Sequence, residues 1–330
     1  MSLPAENRTR LTILDAGPYT TVRDAGRAGH QALGVPEGGA MDKDARICGN
    51  WLVGNPADAA GLETYIGGLR FSVDGPLALA LTGTPADRLQ VTGADGDIKE
   101  VEAGCSLYLS GGEVVYLPPM RHSNLAFIAL SGTLDLPRIY GSLSTSLNAR
   151  LGGMEGRRLA SQDRLNIKIP HTPTPARKLD RVEAFFAPAE AVRVVLGPQD
   201  YAFSTDEIDM LLGTSWTLSA KMDRMGIRLS GPSIVHKNSA DILSDGIVKG
   251  AVQVPGDGQP IIMMADHQTT GGYTKIACVI SADLGKLARL HPHKKIQFQA
   301  VTQSQAEELA TRHKIELTNL MHQDTVSIKK

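Results

Sequence analysis

Cysteine is scarce in this chain, and the cysteines present are isolated from one another. The 330 residues include only three, Cys48, Cys105 and Cys278, and none forms a C-x-x-C pair. An odd and scattered set of this kind indicates neither a disulfide framework nor a zinc knuckle. We therefore expect no metal site and a reducing, cytoplasmic location.

Long apolar runs and a surplus of one charge are also missing. Lys and Arg number 34 against 35 Asp and Glu, which leaves a formal net charge of -1. No stretch approaches the roughly 18 apolar residues of a membrane-spanning helix, and residues 1–10 have no apolar signal core. We therefore expect neither nucleic acid nor a membrane as a partner.

Aromatic residues make up only 5% of the chain, whereas glycine occurs 34 times. Short apolar segments alternate with Gly, Pro and Asp, which is typical of β-strands joined by tight turns. The segments predicted as strands are 11–14, 69–73, 77–81, 113–117, 125–130 and 192–196. Helical periodicity is confined to 41–52, 205–212, 282–290 and 305–313. The pattern predicts a mainly β fold, built as β-barrels with a few short helices.

A proline-rich segment divides the chain into two halves. Pro170, Pro173 and Pro175 remove backbone donors and favour an extended path, and a chain of 330 residues is long for a single core. The predicted division is a first β-barrel at 8–169, a linker at 170–191, a second β-barrel at 192–317 and a polar tail at 318–330.

The two predicted halves begin in a similar way. An apolar segment leads to Gly17-Pro18 in the first half and to Gly197-Pro198 in the second. This similarity indicates a weak internal duplication, and chance recurrence of a common Gly-Pro turn is the alternative.

Self-contained catalytic signatures such as GxSxG, HExxH, Walker A and GxGxxG are absent, so the candidate sites are turn clusters. In the N-terminal cluster, Arg27 offers a planar fork for a carboxylate or phosphate, and Asp42 is either a helix cap or a ligand. An Asp24–Arg27 ion pair is the structural alternative. In a second cluster, Ser144 and Thr145 belong to a turn that forms either an anion-binding nest or a solvent-facing loop.

The C-terminal half carries two further clusters. Residues 223–229 alternate as a strand would, with Arg224 and Arg228 on one face, where they bind an anionic substrate or form ordinary surface pairs. Residues 250–275 place an apolar strand between turns rich in polar side chains: Gln253, Asp266, Gln268, Thr270 and Lys275. An Asp and a Lys across a Gly-rich turn suit acid–base chemistry or the binding of a small polar molecule, and a structural ion pair is the alternative.

These clusters resemble one known family. The similar stretches are 20–27, 34–42, Gly54-Asn55, 223–229 and above all 250–273, which ends in Gln-Thr-Thr-Gly-Gly-Tyr. They resemble allophanate hydrolase subunit 2, also called the biotin-dependent carboxyltransferase or 5-oxoprolinase C-subunit family, from Leu11 to Val301. The resemblance implies two cyclophilin-like β-barrel domains, which would be carboxyltransferase subdomains A and B at 8–169 and 192–317.

The resemblance also implies a cytoplasmic heteromer. The companion would be allophanate hydrolase subunit 1 or a protein like the B component of 5-oxoprolinase, with a protein like its A component as a further candidate. The favoured activity is ATP-dependent opening of 5-oxoproline to glutamate, because the chain has no biotin carboxylase or biotinyl-lysine region. The alternatives are a carboxyltransferase component of a biotin-dependent urea or amide carboxylase, and a non-catalytic antagonist of a kinase-inhibitor protein. ATP, bound by this chain or by a partner protein, is therefore the expected cofactor. Biotin is expected only if the chain is a carboxyltransferase component.

The resemblance places the candidate residues in one cleft between the two barrels. Its predicted lining consists of Asp42, Asn50, Arg224, Gln253, Asp266, Gln268, Thr270 and Lys275. Asp266 and Lys275 are predicted to position the substrate amide or shuttle a proton to it, and Arg224 to bind an anionic end. Weaker candidates for anion contacts are Arg27, Ser144 and Thr145. The family usually has Arg in the turn at 141–145, where this chain has Leu143, so the turn lacks the cation that would hold an anion.

Overall fold

The computed structural model describes residues 7–170 and 175–321, which form two compact units. The first unit comprises the chain up to Gly26, residues 42–187 and the chain from Leu317; the second comprises 27–41 and 188–316. Segment 27–41, here called the strap, thus belongs to the second unit despite its early position in the chain. Residues 171–174 of the predicted linker and 322–330 of the predicted tail lie outside the described residues, and the predicted domain boundaries stay predictions.

The first unit is built from two antiparallel sheets. Its described residues form twelve strands: β1 (Arg8–Ala16), β2 (Tyr19–Arg23), β3 (Gly61–Tyr65), β4 (Leu69–Val73), β5 (Leu77–Thr82), β6 (Arg88–Thr92), β7 (Ile98–Glu102), β8 (Ser106–Leu109), β9 (Val114–Tyr116), β10 (Leu125–Leu130), β11 (Thr133–Leu134) and β12 (Arg164–Lys168). One sheet has the order β11-β12-β1-β4-β9-β6-β7, and the other has the order β2-β3-β10-β5-β8.

The two sheets enclose one hydrophobic core. In β1, Leu11 and Ile13 are buried while Arg10 faces solvent, as expected for a strand with one face on the core. Strands β5 and β10 are buried at every residue, and they pair with each other inside their sheet. Phe71 from one sheet and Ile128 from the other belong to the same core cluster, and each buried side chain of this size stabilises the fold by about 1.5–3 kcal/mol.

The second unit contains a closed β-barrel. Its strands are β13 (Ala191–Leu196), β14 (Ser215–Leu218), β15 (Gly226–Ser230), β16 (Asp241–Gly246), β17 (Ala251–Val254), β18 (Ile261–Met263), β19 (Thr270–Val279) and β20 (Lys295–Ala300). The ladder β13-β20-β14-β15-β18-β17-β19 closes because the end of β19 pairs with β13. The first residues of β19 pair instead with β16. The prediction of a mainly β fold with barrel architecture is confirmed.

Helices are few and short, as the sequence pattern predicts. Those described are α1 (Lys43–Leu52), α2 (Val182–Phe186), α3 (Thr205–Gly213), α4 (Leu284–Arg289) and α5 (Gln303–Met321), and the strap adds a single 3-10 turn at Gln31–Leu33. The predicted helices at 41–52, 205–212, 282–290 and 305–313 are confirmed, although α5 continues to Met321.

Candidate functional site

A buried lysine with an exposed partner marks the candidate site. Lys275 lies in β19 with only 2% of its surface exposed. Its Nζ donates to Asp245 Oδ2 at 2.8 Å, and the carbonyl oxygen of Gly246 lies 3.5 Å from Nζ. The Asp245 side chain, at the end of β16, is 54% exposed. The Lys275 ammonium and the Gly246 N–H together hold the pKa of Asp245 below its usual value.

Gln199 contacts both members of this ion pair. Its Oε1 accepts from the Lys275 backbone N–H at 3.1 Å, and its Nε2 donates to Asp245 Oδ2 at 3.4 Å. The backbone adds a bond from Gln199 N to Lys275 O at 3.0 Å. Since Gln199 follows β13 in the chain, this amide links the start of the barrel to β16 and β19.

Gln253 supplies a buried donor without an acceptor. It lies directly opposite Lys275 in the ladder of β17 and β19, so the two side chains are on one face of the sheet. Gln253 is 2% exposed, and its Nε2 has no hydrogen-bond partner among the described residues. A buried donor left unsatisfied costs about 1–3 kcal/mol of stability. An acceptor on a bound ligand would satisfy this donor.

A glycine lets the backbone of β19 approach the Gln253 side chain closely. A Cβ added at Gly271 would lie 3.1 Å from Gln253 Nε2, 3.4 Å from Gln268 Nε2 and 2.5 Å from Ile247 Cδ1. Gly271 is also the register partner of Asp245. Two amide nitrogens and one apolar side chain therefore pack closely against the Gly271 backbone, and a carbonyl or carboxylate oxygen is the group that such amide donors bind. We call Gln199, Asp245, Gln253, Gln268, Gly271 and Lys275 the Lys275 site.

Arg224 and Asp266, two residues predicted for the substrate cleft, are paired with each other. Arg224 Nε and Nη2 donate to the two carboxylate oxygens of Asp266, both at 2.9 Å. Arg224 Nη2 also donates to the carbonyl oxygen of Gly39 at 2.6 Å, and Gly38 N donates to Ala265 O at 3.1 Å. This bidentate pair fastens the strap to the barrel. The predicted roles of Asp266 in proton transfer and of Arg224 in anion binding stay predictions.

The predicted strand at 223–229 begins later than expected. Asp223 Oδ1 accepts from the N–H groups of Met225 and Gly226 at 2.8 and 3.1 Å. This side-chain turn competes with strand pairing, so β15 starts only at Gly226. The prediction that Arg224 and Arg228 share one strand face is wrong.

Asp42 and Asn50 both have partners within the first unit. Asp42 Oδ1 accepts from the N–H groups of Asp44 and Ala45, each at 3.1 Å, and so caps helix α1. Asn50 Nδ2 donates to Ala59 O at 2.8 Å, and its Oδ1 accepts from Asn55 Nδ2 at 3.2 Å. These bonds give both residues a structural role in the first unit. That they line a substrate cleft stays a prediction.

The Ser/Thr turn at 141–145 binds a carboxylate of its own chain. Ser142 Oγ and Ser144 Oγ donate to Asp24 Oδ1 at 2.6 and 2.7 Å, and Leu143 N donates to Asp24 Oδ2 at 2.6 Å. Burial by itself raises the pKa of Asp24, but these hydroxyl and N–H donors lower it below the usual value. The serines and Thr145 are buried, so the solvent-facing alternative is wrong. The nest is formed, and Asp24 occupies it.

The remaining candidates have simpler surroundings. Thr145 N and Oγ1 donate to Val22 O at 3.0 and 3.2 Å. Arg27 is buried in the strap, and its backbone N–H donates to Glu37 O at 2.6 Å. Thr270 is exposed at the start of β19, opposite Gly246. The anion contacts predicted for Thr145 and Arg27 and the substrate contact predicted for Thr270 stay predictions.

Metal-binding clusters and membrane-spanning helices are absent from the part of the chain that the structure describes. Within residues 7–170 and 175–321, no group of His, Cys, Asp or Glu side chains is placed to hold a metal ion. No helix among these residues is both long and apolar enough to cross a membrane.

Sequence reasoning missed Asp245 and Gln199. Their bonds to Lys275 join residues that are 30 and 76 positions apart in the chain. Gln199 attracts attention only as the residue after a Gly-Pro turn, and Asp245 only as an acidic residue before a glycine. Neither local pattern connects them with Lys275, because only closure of the barrel brings β13, β16 and β19 together.

Comparison with known proteins gives consistent similarities. A family model described as carboxyltransferase domain, subdomain A and B, matches residues 33–300. The 5-oxoprolinase C subunit of Escherichia coli is 38% identical over 294 residues, which are 87% of this chain and 90% of that protein. The 5-oxoprolinase C subunit of Haemophilus influenzae is 34% identical over 313 residues, which are 94% of this chain and 97% of that protein.

Solved structures show the same fold. The chain matches the urea carboxylase of Kluyveromyces lactis with a TM-score of 0.85 at 23% identity. The match covers 97% of this chain but only 30% of the urea carboxylase chain. This fold therefore also occurs as one part of a much longer polypeptide.

Proposed function

Because the chain belongs to the family of carboxyltransferase domains with subdomains A and B, we propose that it is the C subunit of an ATP-dependent 5-oxoprolinase. In this proposal it acts with the companion A and B components in the cytoplasm and opens the lactam ring of 5-oxoproline to give glutamate. Relatives of that name match it over most of their length at 38 and 34% identity. The structural observation that carries the proposal is the buried, unpartnered Gln253 Nε2 beside Lys275.

The chemistry of the Lys275 site suits a lactam. Hydrolysis of an amide develops negative charge on the carbonyl oxygen, and fixed donors in a water-poor site stabilise that charge. Gln253 Nε2 and Gln268 Nε2 both lie near Gly271, and in this proposal the lactam oxygen accepts from both. The Lys275 ammonium supplies positive charge on the same face of the sheet.

ATP hydrolysis, on this chain or a companion protein, provides the free energy that opens a stable lactam. In this proposal, Gln253 and Gln268 hold the carbonyl group and Lys275 balances the charge of the bound ligand. The strap, fastened by Arg224 and Asp266, supports the barrel that carries these side chains. Proton transfer by Asp266 or Lys275 remains part of the proposal.

The experiment is 5-oxoproline-dependent release of ADP by this chain copurified with its companion proteins. We expect stimulation by 5-oxoproline and none by urea. Lys275→Met should reduce turnover at least tenfold, since one charged hydrogen bond contributes about 1.5–3 kcal/mol. Lys178→Met, which removes an exposed lysine of the first unit, is the matched control and should retain turnover. An assembled complex that does not respond to 5-oxoproline contradicts the proposal.

A second function is favoured by the description of the family model itself. That model describes a carboxyltransferase domain, so the chain is also a candidate for the carboxyltransferase component of a biotin-dependent urea or amide carboxylase. In that case Gln253 and Gln268 would bind a ureido or amide oxygen. Avidin separates the two functions, because it blocks transfer from carboxybiotin and leaves ADP release by a 5-oxoprolinase unchanged.

A further inference from the structure

The Lys275 site contains a carboxylate for which the proposed function gives no role. Asp245 accepts a hydrogen bond from Lys275 Nζ at 2.8 Å, yet its side chain is 54% exposed while that of Lys275 is 3% exposed. A buried ammonium without a counterion is costly. Asp245 therefore provides the negative charge that lets Lys275 remain buried while no ligand is bound.

We propose that Asp245 is a displaceable counterion, and that the carboxylate of a bound ligand takes its place on Lys275 Nζ. The inference rests on the proposed function and deepens it, because it assigns the ligand carboxylate to Lys275 and the lactam oxygen to Gln253 and Gln268. The ligand class is a small carboxylate that also carries an amide carbonyl.

Other acidic residues of the second unit are held much more firmly. Both oxygens of Asp266 accept from Arg224 in a bidentate pair, and its side chain is only 11% exposed. Asp283 is fully buried and accepts from Arg193 and Lys286. Neither carboxylate is placed to leave its partner. Asp245 differs because water already reaches it, so separation from Lys275 requires little further desolvation.

The strand that carries Asp245 is also loosely integrated. The register of β16 with β19 shifts between Asp241 and Asp245, and five of its six residues are exposed, with Ile242 partly buried. Leu243 of this strand is 94% exposed. A strand with so little buried surface is free to move its side chains away from β19 at small cost.

Gln199 can assist the replacement of Asp245 by a ligand carboxylate, because its amide has one acceptor and one donor end. Its Oε1 is anchored by the Lys275 backbone N–H, while its Nε2 reaches Asp245 through a longer contact of 3.4 Å. After displacement, the same Nε2 would donate to the ligand carboxylate. Gln199 is therefore a positioning residue that keeps the anion, whichever it is, on Lys275.

The test is equilibrium binding to the full-length chain by calorimetry, with 5-oxoproline, acetate and 2-pyrrolidinone as ligands. 2-Pyrrolidinone has the same lactam ring and no carboxylate. We expect Asp245→Asn to tighten 5-oxoproline about five- to tenfold, because the internal competitor is lost. The affinity for 2-pyrrolidinone should not change. Lys275→Met should abolish the preference for 5-oxoproline over 2-pyrrolidinone.

Asp241→Asn is the matched control, since it neutralises an exposed aspartate of the same strand, for which no bond to Lys275 is found among the described residues. It should leave all three affinities unchanged. Weaker binding of 5-oxoproline by Asp245→Asn, or an equal change for both lactams, overturns the inference. The inference is also overturned if Asp245→Asn binds neither 5-oxoproline nor acetate.

Turnover of the complex separates this inference from the proposed function. If both hold, Asp245→Asn lowers KM for 5-oxoproline about five- to tenfold, in step with the tighter binding. A loss of kcat at unchanged KM makes Asp245 a catalytic group and overturns displacement. Tighter anion binding by Asp245→Asn in a complex that never turns over 5-oxoproline supports displacement and contradicts only the proposed function.

Discussion

Individual side chains in the second unit divide into those with complete sets of partners and those without. Gln199 uses both ends of its amide, toward Lys275 and Asp245. Gln253 is also buried, yet its Nε2 has no partner among the described residues. The glutamine at position 253 therefore lowers the stability of the fold, whereas the glutamine at position 199 raises it. This difference makes the two glutamines a matched pair for mutagenesis.

Gln253→Leu is expected to leave the protein as stable as before, or up to about 1 kcal/mol more stable, because an unsatisfied donor is removed. Turnover should nevertheless fall at least tenfold in the assembled complex, since the donor to the ligand carbonyl is lost. Denaturant unfolding measures the first quantity and ADP release the second.

Gln199→Leu is the comparison variant, and it should lower the free energy of unfolding by about 1–3 kcal/mol, because two bonded groups lose their partner. If Gln253→Leu destabilises the protein as much as Gln199→Leu does, then Gln253 is a structural residue.

Gly271→Ala tests whether a ligand binds beside Gly271 in the Lys275 site. The new Cβ would approach Ile247 Cδ1 to 2.5 Å, so the end of that flexible side chain must shift, and we expect the fold to persist. The methyl group occupies the volume between the two amide donors, and we expect 5-oxoproline binding to weaken at least tenfold. Gly256→Ala is the control, because nothing lies within 4 Å of a Cβ at that position. Equal affinities of the two variants would contradict ligand binding beside Gly271.

Among the larger elements, the strap is held by polar contacts near its C-terminal end, including the Arg224–Asp266 ion pair. Arg224 joins the carboxylate of Asp266 to the carbonyl oxygen of Gly39, and the backbone of Asp266 bonds to Arg224 O at 2.8 Å. Residues 31–34 of the strap are exposed, including Leu33 at 69%. Its attachment to the barrel therefore relies on polar contacts at its C-terminal end more than on buried apolar surface.

Arg224→Met should loosen the strap and destabilise the protein by about 3–5 kcal/mol, because it removes the bidentate cation from the largely buried Asp266 carboxylate. Amide hydrogen exchange should rise first in residues 28–38. Arg228→Met removes an exposed arginine from β15 and should change neither property. Exchange that stays slow throughout the strap of Arg224→Met would show that other contacts hold it.

The elements of the first unit show why a polar turn is buried. Turn 141–145 contributes two hydroxyls and an N–H to Asp24, so the charge of Asp24 is satisfied without solvent. Leu143, where the family usually has Arg, places its apolar side chain in the core cluster of this unit. A leucine at this position is compatible with the fold because it packs into that core.

Each of the two units contains a buried carboxylate that links stability to pH. Asp24 belongs to the first unit, and Asp283 belongs to the second. Burial alone raises the pKa of Asp283, but hydrogen bonds from Arg193 and Lys286 lower it below the usual value. A carboxyl whose pKa is lower in the folded state stabilises the fold fully above its unfolded pKa of about 3.9. That contribution is lost as the pH falls through the folded pKa.

Asp283→Asn should therefore be about 3 kcal/mol less stable than the parent at pH 7, since it breaks a buried ion pair. The deficit should shrink progressively below about pH 4, where the parent loses the same contribution. Urea unfolding between pH 7 and pH 2.5 measures the difference. Asp209→Asn, on the exposed side of α3, should match the parent at every pH. A deficit for Asp283→Asn that is independent of pH would contradict the lowered pKa.

The local pattern of residues was sufficient to predict several of the strands and the approximate positions of four helices. Alternation in 11–14 predicts a strand, and β1 buries Leu11 and Ile13 as expected. Asp42 has the residue type and position of an N-cap, and the structure shows it in that role. These predictions succeed because hydrophobic periodicity and capping are short-range properties. They fail where a side chain bonds the backbone, as Asp223 does before β15.

The sequence by itself therefore determined the mainly β fold, the family and the region 250–275 as the richest cluster of polar side chains. Only the tertiary structure decided which of those side chains have partners. Closure of the barrel places Gln199 and Asp245 on Lys275, pairs Arg224 with Asp266, and leaves Gln253 Nε2 unsatisfied beside a glycine. Hydrogen bonds between distant residues depend on strand order and register, and neither is encoded in the spacing of residues along one segment.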